Sequence, residues 1–157
     1  MSLYKQPHRI LFVCHGNICR STMAEFVMKD LVERAGVADE FEIASAATSN
    51  EEIGNPVYPG TRKVLVEHGI AGFEGKRACR IEPGDYDAHD LLIGMDEANI
   101  HSMQRAFGGD PDGKIVKLLE FAGSTRDVAD PWYTRDFDTT YSDVLAGCEG
   151  LLNALRV

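Results

Sequence analysis

The stretch Cys14-His15-Gly16-Asn17-Ile18-Cys19-Arg20-Ser21 follows the apolar run Arg9-Ile10-Leu11-Phe12-Val13 and precedes a segment of helical periodicity. A short apolar run without alternation is the pattern of a strand buried on both faces. Beyond the loop, Ser21 and Thr22 are candidate caps. Ala24, Val27, Met28, Leu31 and Ala35 then recur at helical spacing until Gly36 stops the run. The loop is therefore expected between the carboxyl end of a strand and the amino end of a helix. Unpartnered backbone N–H groups meet the positive end of the helix dipole there, which favours an anion. Gly16 is expected to let the backbone turn tightly, and Arg20 adds a planar fork of donors matched to phosphate oxygens.

Cys14 heads this cradle. A helix N-terminus and a nearby arginine favour the thiolate, which is the reactive form. A nucleophile facing the centre of a bound tetrahedral oxyanion suits attack at phosphorus, through a phosphocysteine. Of the four cysteines, only Cys14 has an arginine six positions later. The stretch fits neither G-x-x-x-x-G-K-[ST] nor G-x-G-x-x-G, and Cys14 and Cys19 lack zinc-ligand spacing. A cysteine ending a buried strand is often only a small core residue. The strand before, the helix after, and the Gly, Asn and Ser within the loop raise this one above that reading.

With 157 residues, 44% of them hydrophobic, the chain suits one domain with one core over residues 1–157. A net charge of -9 argues against nucleic acid or an anionic membrane as partner, while leaving room for a local positive socket. The sequence reads without a signal-peptide pattern and without an apolar run long enough to span a bilayer, so neither export nor membrane insertion is expected. Cysteines without a dense framework point to a reducing cytoplasm.

The remaining elements follow in order. Residues 1–8 read as a loose lead-in and 41–48 as a second strand. A loop over 49–58 leads to a helix over 59–68, with Thr61, Arg62 and Lys63 on its solvated face and His68 as a hydrogen-bonded structural residue. The stretch 70–89 is irregular, with a short helix near 83–87. A third strand over 90–95 precedes a helix capped by Asp96 and carrying Ile100, Met103 and Phe107. After a turn at 108–113 come a fourth strand over 114–119, a loop over 120–137 and a last helix over 138–156. That helix carries Tyr141, Val144, Leu145, Cys148, Leu151, Leu152 and Leu155 on one stripe, with Cys148 inert within it. Strands alternating with helices imply an α/β sandwich of three layers, its four-stranded parallel sheet covered on both faces. Ligands in such sheets bind beyond the strands' carboxyl ends, where the Cys14 loop is expected.

Attack at phosphorus must also expel an oxygen leaving group, which a positioned proton donor assists. Asp130 of Asp130-Pro131-Trp132-Tyr133 is the candidate, with Pro131 stiffening the backbone and Trp132 and Tyr133 offering a wall for a flat ring. Alone, an Asp-Pro pair is usually a turn.

The run Val13 to Ser21 resembles the signature loop of the low-molecular-weight protein tyrosine phosphatases. Ser45-Ala46-Ala47-Thr48-Ser49, Ile53-Gly54-Asn55-Pro56, His68-Gly69-Ile70, Met95-Asp96-Glu97 and Asp130-Pro131-Trp132-Tyr133 match further, in the family's order. The resemblance implies strand order 2-1-3-4, with Cys14 as nucleophile, Arg20 binding phosphate and Asp130 acting as general acid and then base. It implies that His15, Gly16, Asn17, Ile18, Cys19, Ser21, Trp132 and Tyr133 surround phosphate and ring. Asn17 would hold the loop's strained shape, Ser21 would donate to the Cys14 thiolate, and Asp96 would orient Arg20 or the loop. The expected substrates are phosphotyrosine proteins or small aryl phosphates, with inorganic phosphate as product and inhibitor; no metal or cofactor is called for. His15 stands where an apolar residue is common, Glu51 where many members carry an aromatic wall, and Lys76 near a histidine that braces the loop.

Arsenate reductases share the loop but need a further cysteine just after the third strand, where this chain has Met95-Asp96; Cys79 lies earlier. Protein-arginine phosphatases carry threonine where this chain has Ile18. A phosphate-binding module without catalysis would not need nucleophile, arginine and acid together. Finally, a peroxide-oxidised Cys14 is expected to condense with Cys19 in a reversible disulfide, provided the two approach closely enough.

Overall fold

The computed structural model of the chain describes residues 6–156. Residues 1–5 of the expected lead-in lie outside the described residues, and the first strand, β1, already begins at His8 (His8–Cys14). The following elements are α1 (Arg20–Arg34), β2 (Phe41–Ala47), α2 (Pro59–Glu67), α3 (Asp85–Ala88), β3 (Leu91–Gly94), α4 (Glu97–Phe107), β4 (Ile115–Lys117), α5 (Pro131–Thr134) and α6 (Phe137–Leu155).

All four strands run parallel in the order β2-β1-β3-β4. β1 is central, and its side chains alternate between two cores. Ile10, Phe12 and Cys14 join the core built with α1, α2 and α6, while Leu11 and Val13 join the core built with Tyr86 of α3 and Ile100 and Met103 of α4. This two-sided burial explains why the run is apolar without alternation. It also fixes the place of the Cys14 loop. β1 ends at the carboxyl edge of the sheet, and α1 starts at once beneath the loop.

Several boundaries differ from the sequence reading. α1 is capped by Cys19, without a side-chain cap, and not by Ser21 or Thr22. Ser21 and Thr22 are buried in its first turn, where the Thr22 hydroxyl donates to the Cys19 carbonyl at 3.0 Å. The buried face of α1 is wider than the expected stripe, because Met23, Phe26 and Val32 join Ala24, Val27 and Met28. β4 is shorter than expected. Leu118 and Leu119 begin a 3-10 turn (Leu118–Ala122), in which the Glu120 carboxylate reaches back to the Lys117 N–H at 2.6 Å. This turn buries both leucines on the same side of the sheet, in the core shared with α6. Within 120–137, α5 interrupts the expected loop.

The 3-10 turn packs directly on α6. A Cβ at Gly147 would run into the Leu118 side chain, and one at Gly150 would fall on the carbonyl of Phe121. Since a backbone carbonyl cannot turn aside as a side chain can, Gly150→Ala should destabilise the fold by about 1–3 kcal/mol or more. Urea unfolding followed by circular dichroism checks this. A variant as stable as the parent would mean that α6 slides away from the turn without cost.

Candidate active site

The Cys14 loop is held from below by a buried polar network. Asn17 is fully buried and adopts the left-handed conformation (φ 59). Its Nδ2 donates to Ser21 Oγ at 2.8 Å and to Ser45 Oγ at 2.9 Å, and its Oδ1 accepts from the Cys79 N–H at 3.1 Å. The strain of an asparagine at positive φ is thus sustained by three partners. Glu25 of α1, itself buried, accepts from Ser45 Oγ and pairs with Lys29 at 2.6 Å and with Lys76 at 3.4 Å. Lys76 also donates to the Ser45 carbonyl at 2.8 Å.

Within the loop it is Asn17, and not Gly16, that takes the left-handed conformation. The need for glycine at 16 is close approach, since a Cβ there would lie 3.3 Å from Glu52 Cγ.

Above this network, Cys14 is 3% exposed and its Sγ accepts from the Asn17 N–H at 3.4 Å. Ser21 Oγ lies 3.1 Å from the same sulfur. Because that oxygen already accepts from Asn17, its own hydrogen is left to donate to a thiolate. Arg20, 3% exposed, donates through Nη1 to Asp96 Oδ2 at 2.7 Å and to the Val128 carbonyl at 2.9 Å. Its Nη2 lies 3.5 Å from Asp130 Oδ2. Burial opposes the guanidinium charge, but Cys14, Asp96 and Asp130 outweigh it and hold the pKa above the ordinary arginine value. Asp96 does two tasks: Oδ1 accepts from the Asn99 N–H at 2.8 Å to cap α4, and Oδ2 anchors Arg20.

Asp130 comes from the opposite side of the site. Its Oδ1 accepts from the Trp132 N–H at 3.0 Å, which caps α5 and leaves Oδ2 turned toward Arg20. The groups enclose one cavity lined by residues of the Cys14 loop, by Glu51 and Glu52, and by Asp130, Trp132 and Tyr133. A thiol, a guanidinium and a carboxyl group thus converge with an aromatic wall from two loops far apart in sequence.

Known proteins share this frame. Residues 9–157 match the family described as low molecular weight phosphotyrosine protein phosphatase. The chain belongs to this family. The protein-tyrosine-phosphatase YfkJ of Bacillus subtilis is 37% identical over 149 residues, covering 94% of this chain and 95% of that protein. The crystal structure of YfkJ superposes with a TM-score of 0.93, covering 98% of this chain and 97% of the other. The low molecular weight protein tyrosine phosphatase of Streptococcus pyogenes, SP-PTP, gives a TM-score of 0.86 at 40% identity, covering 96% of this chain and 94% of the other. PtpA of Staphylococcus aureus strain MRSA252, another enzyme named as a low molecular weight protein-tyrosine-phosphatase, is 34% identical over 145 residues, covering 92% of this chain and 91% of that protein. The chain is accordingly a hydrolase of the low molecular weight phosphatase class.

Of the residues read from the sequence for this candidate site, Cys14, His15, Gly16, Ile18, Cys19, Arg20, Asp130, Trp132 and Tyr133 all line the cavity. Asn17 and Ser21, read from the sequence as contacts for phosphate, are not among the lining residues; they sit behind Cys14. Ile18 is buried against Cys19 and Ala78 and forms a packed part of the wall. Cys19 is buried as well, and burial above all, with the charges of Cys14 and Asp130, pushes its thiol up to about 12. His15 Nε2 meets Glu51 Oε2 at 2.8 Å, and both residues line the cavity with Trp132.

Three site features escaped the sequence reading. Thr61 is buried, not solvated, and its hydroxyl donates to the Cys19 carbonyl at 3.2 Å. Tyr58, in a stretch read only as loop, donates its N–H to the Ile18 carbonyl at 2.9 Å. Arg135, unremarked in its loop, donates to the Tyr58 hydroxyl at 2.8 Å. His68, expected as a hydrogen-bonded structural residue, donates its backbone N–H to the Val64 carbonyl at 3.1 Å and stacks its ring on Tyr141 with centroids 3.8 Å apart. Among the described residues, no group of three or more His, Cys, Asp or Glu is gathered as for a metal, and no helix is long and apolar enough to cross a membrane.

Proposed function

We propose that this phosphatase hydrolyses phosphotyrosine in proteins, and small aryl phosphates, in two steps through a phosphocysteine on Cys14. The observation that carries the reading is the meeting of Cys14, Arg20 and Asp130 on one cavity beside Trp132 and Tyr133. In the first step the Cys14 thiolate attacks phosphorus and the bond to the aryl oxygen breaks. Asp130 gives its proton to the departing oxygen. Arg20 and the backbone N–H groups of the loop hold the equatorial oxygens as their charge develops. In the second step Asp130 takes a proton from water, whose oxygen attacks phosphorus. The P–S bond breaks, and inorganic phosphate and the thiolate are released. Trp132, 45% exposed, and Tyr133, 81% exposed, would bear on the ring and on the polypeptide around it.

Two rival chemistries fit less well. A disulfide relay as in arsenate reduction lacks a thiol just after β3, where Met95 is buried and Asp96 is bound to Arg20. The branched apolar Ile18 favours a flat aryl group over a guanidinium phosphate. The reading is tested by acid quench during turnover of a labelled aryl phosphate. Label on the peptide carrying Cys14 is expected, and turnover without a labelled cysteine would reject the mechanism.

We also propose that Cys19 protects the nucleophile in a reducing, cytoplasmic setting. Peroxide converts Cys14 to a sulfenic acid; attack by the Cys19 sulfur forms the disulfide and expels water. The raised pKa of Cys19 keeps it a thiol during turnover, so it does not compete for phosphorus. After brief peroxide treatment, a reductant should restore the parent protein and leave Cys19→Ser mostly inactive. Equal recovery, with no Cys14–Cys19 bridge by mass spectrometry, would reject the switch.

A further inference from the structure

Apart from Asn17, Arg135 is the one non-glycine residue at positive φ among the described residues (φ 62). Such a conformation persists only where the surroundings over-determine it. Arg135 closes α5, directly after Asp130, Trp132 and Tyr133. Its guanidinium lies 5.6 Å from the Trp132 ring and 6.0 Å from the Tyr58 ring, and donates to the Tyr58 hydroxyl at 2.8 Å. Tyr58 meets Trp132 edge to face at 5.2 Å and stacks on Phe137 at 5.7 Å. The backbone of Tyr58 is in turn tied to the Cys14 loop, through its N–H to the Ile18 carbonyl. Tyr58 therefore links the two halves of the site, with its main chain on the loop that carries the nucleophile and its ring and hydroxyl on the loop that carries the acid.

We infer that Tyr58 and Arg135 are positioning residues that clamp the 130–137 segment at the height where Asp130 can reach the leaving oxygen. The inference rests on the reading of Asp130 as general acid and goes beyond it. The reach of Asp130 is set by a contact with the loop after β2 as well as by α5, whose four residues are too few to hold it alone. An arginine accepts the strained conformation here because the hydrogen bond and two aromatic faces reward it.

The test uses kcat/KM across aryl phosphates with leaving groups from good to poor. Arg135→Asn tolerates positive φ while removing the guanidinium, and Tyr58→Phe removes the hydroxyl while keeping the ring. Each should lose up to about 10²-fold on the poorest leaving group, the scale of a misplacement near 1 Å, and far less on the best one. Competitive inhibition by inorganic phosphate, which reports the Cys14 loop, should stay unchanged. Combined with Asp130→Asn, neither substitution should add a further loss, because the group it positions is gone. A loss that is even across the series, or that persists undiminished beside Asp130→Asn, overturns the clamp. If Asp130→Asn itself responds evenly to leaving group, the acid assignment fails and the clamp falls with it; a steep response to Asp130→Asn alone rejects the clamp and leaves the acid standing.

Discussion

Cys14→Ser should abolish hydrolysis of aryl phosphates, with a loss on the order of 10⁵–10⁶-fold, the scale of nucleophile removal in other enzymes that work by covalent catalysis. A serine hydroxyl at this position has no base to deprotonate it: the N–H of Asn17 and the hydroxyl of Ser21 are donors suited to an anion already formed. The fold should survive, because serine is smaller than cysteine and keeps both neighbours. Phosphate binding should survive too, since Arg20 and the loop amides are untouched. Inorganic phosphate at about 100 times its Kd stabilises a binding-competent protein by about 2.7 kcal/mol. For a chain of this size that is a rise in Tm of roughly 5–11 °C, measurable by calorimetry in parent and variant alike. Residual turnover within about tenfold of the parent would reject Cys14 as nucleophile. Loss of turnover together with loss of the phosphate-induced shift would point to a collapsed loop.

The parts of this site legible in the sequence are those that local chemistry specifies. β1 announces itself as buried on both faces, and the two cores that take its alternate side chains bear this out. Asp96 reads as a cap because capping is a contact over a few residues, and it caps α4 as read. What stayed hidden depends on partners far along the chain. Glu25 looks like one more helix-surface charge beside Lys29, yet Ser45 and Lys76 draw it inside. Thr61 follows a helix start and carries no sign that its hydroxyl meets Cys19, some forty residues earlier. α5 is too short for any periodicity, and only its cap and Pro131 could have marked it.

The same distinction explains the misreadings. Leu118 and Leu119 suit a buried strand by composition, but Gly147 and Gly150 let α6 approach so closely that a 3-10 turn fits instead. Those glycines lie on another element, so no window around residue 118 contains the reason. The left-handed conformation in the loop falls on Asn17, which no local signal marked: asparagine tolerates that region and its amide finds Ser21, Ser45 and Cys79. An amide spent in this way holds the loop open around an anion, which is why Asn17 serves from behind the cavity.

Asp130→Asn isolates the proton from the structure. The amide oxygen of asparagine can still accept from the Trp132 N–H, so the cap of α5 remains, and the side chain keeps its size against Arg20. What is lost is the acid. If Asp130 protonates the departing oxygen, kcat/KM should fall about 10²–10⁴-fold for substrates with poor leaving groups and much less for activated esters, whose phenolate leaves unaided. The release of phosphate from the phosphocysteine should slow as well, because the same carboxylate activates water in the second step. Phosphoenzyme should then accumulate with activated substrates, giving a burst of phenol followed by a slow phase. Asp130 also lies 3.5 Å from Arg20, so an electrostatic role through that guanidinium is the competing explanation. It would weaken all substrates by one common factor and produce no burst. An even loss across the leaving-group series would therefore make Asp130 a partner of Arg20 and remove it from the proton transfer.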